Sequence, residues 1–95
     1  ARARGEASVA TTPGLVIPTG LIYARADGVL FRTRVSEVAV GALTEVAFEA
    51  VETGVAGNTA AGAVLTAADP GSLPTGMGAT ATVTSAGLGG GADRE

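Results

Sequence analysis

The chain has 95 residues, the size of one small domain, and a formal net charge of −3 at neutral pH. It contains no cysteine and no histidine, so disulfides, thiol nucleophiles and the commonest general base and metal ligand are excluded. The six basic residues are all arginines and form no basic stripe, and no apolar run approaches the roughly 20 residues of a membrane helix. We therefore expect no cofactor, no nucleic-acid partner and no membrane span.

Hydrophobic residues make up 46% of the chain, but aromatic residues make up only 3%. Alanine and valine carry most of the apolar character, and the only aromatic residues are Tyr23, Phe31 and Phe48. A large buried side chain contributes roughly 1.5–3 kcal/mol, and alanine contributes far less. The composition predicts a thin core that gains stability from neighbouring segments or subunits.

The N-terminal part reads as short extended pieces separated by turns. Residues 1–5 resemble the end of a preceding segment, such as the last turn of a helix, and residues 7–12 are a candidate first strand. Residues 15–17 are expected to be extended, since Pro18 disfavours a helix before it. Turns are expected at Pro13-Gly14 and at Gly20.

Residues 21–34 give the clearest hairpin signal, because Asp27-Gly28 lies between two runs of strand-forming residues. Two registers are possible. A two-residue loop pairs Ala24 with Phe31, whereas a three-residue loop with Gly28 in a left-handed conformation pairs Tyr23 with Phe31. We favour the second register, because a cross-strand aromatic pair is stabilising.

The apolar pattern changes phase after Phe31. Alternation continues through Val35, but Val38 and Val40 lie on the other parity, which predicts a bend near Ser36-Glu37. Gly41-Ala42 is the next expected turn. Residues 43–52 fit both a helical stripe and strand alternation, and their short length and weak capping signals favour a strand.

The remaining segments continue the pattern of short strands and turns. We expect a loop over 53–62, strands over 63–67 and 79–85, and a long connection between them that is punctuated by proline and glycine. Six to seven short, largely antiparallel strands predict a mostly β fold, as a small sandwich or partial barrel. The division expected is a preceding segment over 1–6, a β domain over 7–86, and a Gly-rich linker over 87–95 that leads into a helical region. The chain lacks an initial Met, and we interpret it as a middle piece of a longer protein.

Each residue that could take part in catalysis or ligand binding has a simpler structural explanation. Glu45 and Glu49 would share a face of a strand, which is more typical of a solvated surface than of an acid–base pair, and Asp27 suits a turn. The 87–91 glycine run lacks the ending of a phosphate-binding loop. Arg25, Arg32 and Arg34 are expected to keep the hairpin soluble and guard its edge, with a partner-binding patch as the alternative. The tolerance of Asn58 for left-handed backbone explains its place in a loop.

Three motifs follow one another along the sequence. The first runs from Ile17-Pro-Thr-Gly20 through Leu-Ile-Tyr23 and Asp27-Gly28 to Phe31 and Thr33. The second runs from Phe48 through Gly54 and Gly57-Asn58 to Ala61-Gly62, and the third is Gly89-Gly-Gly-Ala-Asp93 with Glu95. In this order and spacing the motifs resemble the baseplate J-like family of phage tail proteins. The match covers about residues 7–95, and Leu21 departs from the threonine usual in the family.

This resemblance implies a structural component of the baseplate wedge in contractile-tailed phages and prophages, not an enzyme. It implies other wedge and hub proteins as partners, a homo-oligomer in the full assembly, and a location in the virion tail after assembly in the host cytoplasm. The family has no catalytic residues to transfer. The matching positions are expected to be turn residues and strand anchors: Pro18, Gly20, Tyr23, Asp27, Gly28, Phe31, Gly57, Asn58 and Gly62.

Two further hypotheses use the same features. Short strands of threonine, valine and alanine with Gly-rich loops also suit a β-sandwich binding or adhesion module of a bacterial surface protein. A hydrolase would have to work with carboxylates alone, and the sequence offers little support for it.

Overall fold

The computed structural model describes residues 3–52, 57–84 and 89. Within those residues the fold consists mainly of short strands, with a single-turn 3-10 helix at Pro70–Ser72. The mostly β fold predicted from the turn spacing is therefore confirmed. The strands are β1 Arg4–Ala10, β2 Val16–Ile17, β3 Ile22–Arg25, β4 Leu30–Thr33, β5 Glu37–Val38, β6 Leu43–Ala50, β7 Val64–Ala67 and β8 Thr80–Val83.

Six of these strands close into a barrel in the order β1-β6-β4-β3-β7-β8, and β8 returns to pair with β1. Every neighbouring pair is antiparallel. Closure leaves the barrel without an unpaired edge strand, since each strand has a neighbour on both sides. Of the two architectures left open by the sequence, the barrel is correct, and it is closed rather than partial.

The β3–β4 hairpin has the register favoured from its aromatic residues. Tyr23 pairs with Phe31, and Ala24 pairs with Leu30. The turn is closed by hydrogen bonds from Arg25 N–H to Val29 O and from Gly28 N–H to Arg25 O, both 2.8 Å long. Gly28 has a φ of 92°, which a residue with a side chain rarely adopts. The three-residue loop is therefore confirmed, and the two-residue alternative is wrong.

The longest pairing in the barrel joins β1 to β6, from Arg4 opposite Glu49 to Ala10 opposite Leu43. The strand interpretation of residues 43–52 is confirmed over Leu43–Ala50. The start of β1 corrects a prediction, because Arg4 and Gly5 belong to the strand and not to the last turn of a helix. Arg4 and Gly5 have little strand propensity of their own, and their pairing with β6 extends the strand over them.

The strands β2 and β5 form a separate two-stranded ribbon, with Val16 opposite Val38 and Ile17 opposite Glu37. The chain reaches β5 through a bend at Val35, one residue before the expected position at Ser36-Glu37. Along the ribbon, Ile17 and Ala39 are buried, whereas Val16 and Val38 are exposed. The phase change in the sequence therefore marks the point where the chain leaves the barrel and enters the ribbon.

The core fills the barrel with its few large side chains. Tyr23, Phe31 and Phe48 are fully buried. The rings of Tyr23 and Phe48 pack edge to face, with their centroids 5.3 Å apart. Aromatic pairs of this geometry add about 0.5–1.5 kcal/mol to the burial term. The rest of the cluster is mostly aliphatic and includes Val9, Ile17, Val46, Leu65, Ala81 and Val83.

The C-terminal strands complete the barrel as the sequence predicted, with β7 inside the expected 63–67 and β8 inside the expected 79–85. Most of the Gly-rich linker expected over 87–95 lies outside the described residues. Gly89 is described, and it forms an antiparallel bridge with Arg4 through hydrogen bonds of 2.7 and 3.0 Å. Residues 53–56 of the expected 53–62 loop also lie outside the described residues.

Candidate interaction surface

Because adjacent strands run in opposite directions, the barrel has two ends with different connections. The hairpin end carries the β3–β4 turn over 26–29 and the connection that enters β7 over 57–63. The ribbon end carries the connections over 11–21, 34–42 and 68–79, which include the β2–β5 ribbon.

The hairpin end is held by Arg25. Its guanidinium forms two hydrogen bonds to the carboxylate of Asp27, at 2.7 and 2.8 Å, and two more to Asn58 O and Thr59 Oγ1. The hydrogen bond from Arg25 lowers the pKa of Asp27 to about 2, and the same bond raises the pKa of Arg25. Arg25 also lies 5.9 Å from the ring centre of Phe31. This arginine thus links the hairpin to the segment that precedes β7.

The other two arginines of the predicted patch lie further along the same hairpin. Arg32 forms an ion pair of 2.8 Å with Glu49 across the β4–β6 pairing. Arg34 is exposed just after β4, and its N–H donates to Ala47 O. Arg25 and Arg32 are therefore each bound to a neighbouring carboxylate. Binding of a partner by this trio remains a prediction.

The predicted carboxylate face is present but is not arranged as a catalytic pair. Glu45 and Glu49 alternate with buried residues of β6, so both face the outside of the barrel as expected. Glu45 is exposed, whereas Glu49 is bound to Arg32. Within residues 3–52, 57–84 and 89, no three acidic side chains gather into a metal-binding group.

Buried threonines hold the turns at the ribbon end. The Thr33 hydroxyl donates to Pro18 O at 2.7 Å and accepts from Leu21 N–H at 3.0 Å, so it fixes the turn that contains Gly20. The Thr11 hydroxyl donates to Gly41 O at 2.7 Å and lies 2.9 Å from the Thr44 hydroxyl, within hydrogen-bond distance. These bonds fix where both strands of the ribbon leave the barrel.

The expected turn residues differ in how they act. Gly20, Gly28 and Gly62 have φ values of 85–92° and so need the freedom of glycine. Position 57 requires glycine for a different reason: a Cβ there would lie 2.7 Å from the Cβ of Ala50, which is too close. The expectation for Asn58 is wrong: no non-glycine residue of the described chain has a positive φ. Instead, the carbonyl of Asn58 accepts from Arg25.

The ribbon end is uncharged over 10–21, 38–43 and 73–79, but its connections also carry Arg34, Glu37 and Asp69. Its outer face also exposes large apolar side chains, since Val16 is 58%, Val38 59% and Val40 86% exposed. Sequence reasoning missed this surface. A signal for it was present, because these valines lie in two long uncharged stretches, 7–24 and 38–44.

One groove of about 330 Å³ lies at the hairpin end, between the β3–β4 turn and the end of β6. Its lining includes the carboxylates of Asp27 and Glu52, but Asp27 is already bound to Arg25. This lining offers no pair of groups suited to acid–base chemistry. The part of the chain that the structure describes contains no helix of the length and apolarity needed to cross a bilayer.

The described part of the chain is thus a small, closed antiparallel β-barrel with an attached ribbon, and exposed valines form an apolar surface on the ribbon. Residues 6–90 match the Baseplate J-like protein barrel domain, so the chain belongs to the baseplate J-like family. This family is structural, and membership supports a role related to the phage baseplate and a location in the virion tail. A search of curated protein sequences gives no match.

Proposed function

We propose that the chain is a structural, non-enzymatic component of a phage or prophage tail baseplate and acts through contacts with other baseplate proteins. The observation that carries this proposal is the family match over residues 6–90. The expected partners are wedge and hub proteins, with further copies of the same protein in the full assembly. Assembly would take place in the cytoplasm of the bacterial host.

The distribution of charge supports protein partners over nucleic acid. Phosphate binding needs basic side chains that neutralise the backbone, whereas Arg25 and Arg32 are bound to Asp27 and Glu49. The exposed valines of the ribbon end suit a protein interface, because apolar side chains are enriched in the buried centre of such contacts. Neither feature requires a bilayer or a cofactor.

The proposal can be tested on tail particles purified from the host. Antibodies raised against this chain should label one end of the particles in immunogold electron microscopy, at the baseplate. Pre-immune antibodies applied to the same particles provide the control and should leave them unlabelled. Label on the bacterial surface, with none on the particles, would instead support an adhesion module and contradict the proposal.

A further inference from the structure

We infer that the bond between Asp27 and Gly28 is a site of spontaneous isoaspartate formation, and that Arg25 keeps this site closed in the folded chain. The reaction is a covalent modification of the polypeptide by its own groups and water. The inference is independent of the proposed function, because it concerns only the chemistry of the β3–β4 turn.

The turn supplies both reacting groups. The backbone nitrogen of Gly28 attacks Cγ of Asp27, an N–Cγ bond forms, and the amide proton leaves with a carboxyl oxygen as water. A second water then adds to the main-chain carbonyl carbon of Asp27 and breaks its bond to the Gly28 nitrogen. The product has the original mass but one more backbone atom, in the turn whose length sets the pairing of Tyr23 with Phe31.

The residue after each aspartate decides how readily this ring closes. Of the three aspartates, only Asp27 precedes a glycine, and the missing Cβ leaves the attacking nitrogen unobstructed. Asp69 precedes Pro70, which has no backbone N–H to give up. Asp27 is therefore the aspartate of this chain at which the modification is expected.

In the folded chain, other partners hold both reacting groups. The two carboxylate oxygens of Asp27 accept hydrogen bonds from the Arg25 guanidinium, at 2.8 and 2.7 Å, and one of them also accepts from Val29 N–H at 3.3 Å. The Gly28 N–H donates to Arg25 O at 2.8 Å. Ring closure needs the Gly28 nitrogen to lose its proton and approach Cγ, so these contacts must break first.

Arg25 is itself anchored outside the turn. Its guanidinium donates to Asn58 O at 3.1 Å and to Thr59 Oγ1 at 2.9 Å. The Arg25 side chain is 19% exposed, whereas that of Asp27 is 57% exposed. Water for ring opening therefore reaches Asp27, while the segment before β7 fixes the guanidinium. This restraint comes from tertiary structure and is lost when the chain unfolds.

The ion pair also keeps Asp27 in its unreactive form. A carboxylate is a poor electrophile, because the departing oxygen would carry two negative charges, and the neutral acid is the form that reacts. Arg25 lowers the pKa of Asp27 to about 2, whereas a free aspartate titrates near ~3.9, so at pH ~5 the loss of Arg25 raises the neutral population by up to about 80-fold. Solvent screening at this exposed carboxylate reduces the gain, and we expect an acceleration of at least about tenfold.

The test incubates the whole folded chain at pH ~5 and then digests it with an endoproteinase that cleaves before aspartate but not before isoaspartate. Resistance at position 27 measures the modification, and electron-transfer fragmentation identifies the product. Cleavage before Asp69 should stay complete and provides an internal control. The variant Arg25→Gln should accumulate isoaspartate at least about tenfold faster than the wild type, and so should the wild type unfolded in urea.

A matched variant separates this role of Arg25 from a general loosening of the hairpin. Arg32→Gln removes the other arginine–carboxylate pair of the hairpin, with Glu49, and leaves the contacts of Asp27 in place. It should isomerise at the wild-type rate. Arg25→Lys keeps the charge but cannot bridge both carboxylate oxygens, so its rate should lie between those of the wild type and Arg25→Gln.

Three results would overturn the inference. The first is an equal rate in the folded and the urea-unfolded wild type, which would show that the fold gives no protection. The second is an equal acceleration in Arg25→Gln and Arg32→Gln, which would assign the effect to loss of stability alone. The third is complete cleavage at position 27 in every sample, which would show that the bond does not isomerise.

Discussion

The hydroxyl of Tyr23 donates a hydrogen bond of 2.8 Å to the carbonyl oxygen of Gly78, 55 positions away in the sequence. The Tyr23 ring is fully buried and packs against Phe48 at an interplanar angle of 81°. One side chain thus joins β3, β6 and the connection between β7 and β8. Because the core contains so few large residues, losing this contact should lower the stability of the whole barrel.

Burial raises the pKa of Tyr23 to about 12, whereas tyrosine in an unfolded chain titrates near pH ~10. The folded state therefore favours the neutral ring. The associated stability is complete below pH ~10 and is lost as the pH rises toward 12. Because Tyr23 is the only tyrosine and the chain has no tryptophan, ultraviolet absorbance of the phenolate follows this residue alone.

The variant Tyr23→Phe provides the control for that titration. It should lose about 1 kcal/mol of stability with the hydrogen bond to Gly78 and should show less destabilisation between pH 10 and 12. A phenolate midpoint near pH ~10 in the folded wild type would show that the ring is not buried as described.

Two glycine substitutions should have different effects. A Cβ at Gly57 would lie 2.7 Å from the Cβ of Ala50 and 3.2 Å from that of Ala3, so Gly57→Ala should destabilise the chain by about 1–3 kcal/mol. Gly41 has open space around it and no positive φ, so Gly41→Ala should be neutral or stabilising by about 0.4–1 kcal/mol. Urea unfolding of both variants measures the difference. Equal effects would contradict the close packing at Gly57.

Acid should weaken the hairpin through Asp27. Its pKa in the folded chain is about 2, because Arg25 donates hydrogen bonds to it, whereas an unfolded aspartate titrates near pH ~3.9. The contribution is therefore present above pH ~4 and is lost as the pH falls toward 2. Thermal unfolding should show a smaller loss of stability over this window in Asp27→Asn than in the wild type. The control Glu45→Gln, on the exposed face of β6, should lose stability as the wild type does.

Because the core is thin, each buried aromatic residue should contribute a large share of the free energy of unfolding. Phe48 is fully buried, and truncating such a residue to alanine typically costs about 3–5 kcal/mol. A domain of this size has a total stability of about 5–15 kcal/mol, so Phe48→Ala should unfold in much less urea than the wild type. Val64→Ala, at a half-exposed position, should change stability by less than about 1 kcal/mol. Similar unfolding midpoints for the two variants would rule out the described core.

Local chemistry was sufficient to predict much of the barrel. Asp27-Gly28 defined the hairpin, and pairing of Tyr23 with Phe31 selected its register. The turns at Gly20 and Gly28 were recognisable because glycine tolerates a positive φ. The strand over Leu43–Ala50 followed from its short length, although its pattern also fitted a helix.

Contacts between distant segments were not predictable in the same way. The pairing of β1 with β8, which closes the barrel, joins residues more than 70 positions apart, and no local signal encodes it. The strand character of Arg4 and Gly5 comes from the pairing with β6. The ribbon was predicted only as an extended piece and a bend, since the position of β2 opposite β5 is set by the threonine contacts at Thr11 and Thr33.

The bridge between Arg4 and Gly89 brings the path into the barrel and the path out of it side by side. A domain with neighbouring entry and exit can be inserted into a surface loop of a host protein without forcing the two host attachment points apart. Because Arg4 and Gly89 are neighbours, insertion of the barrel into such a loop would leave its internal strand pairing intact.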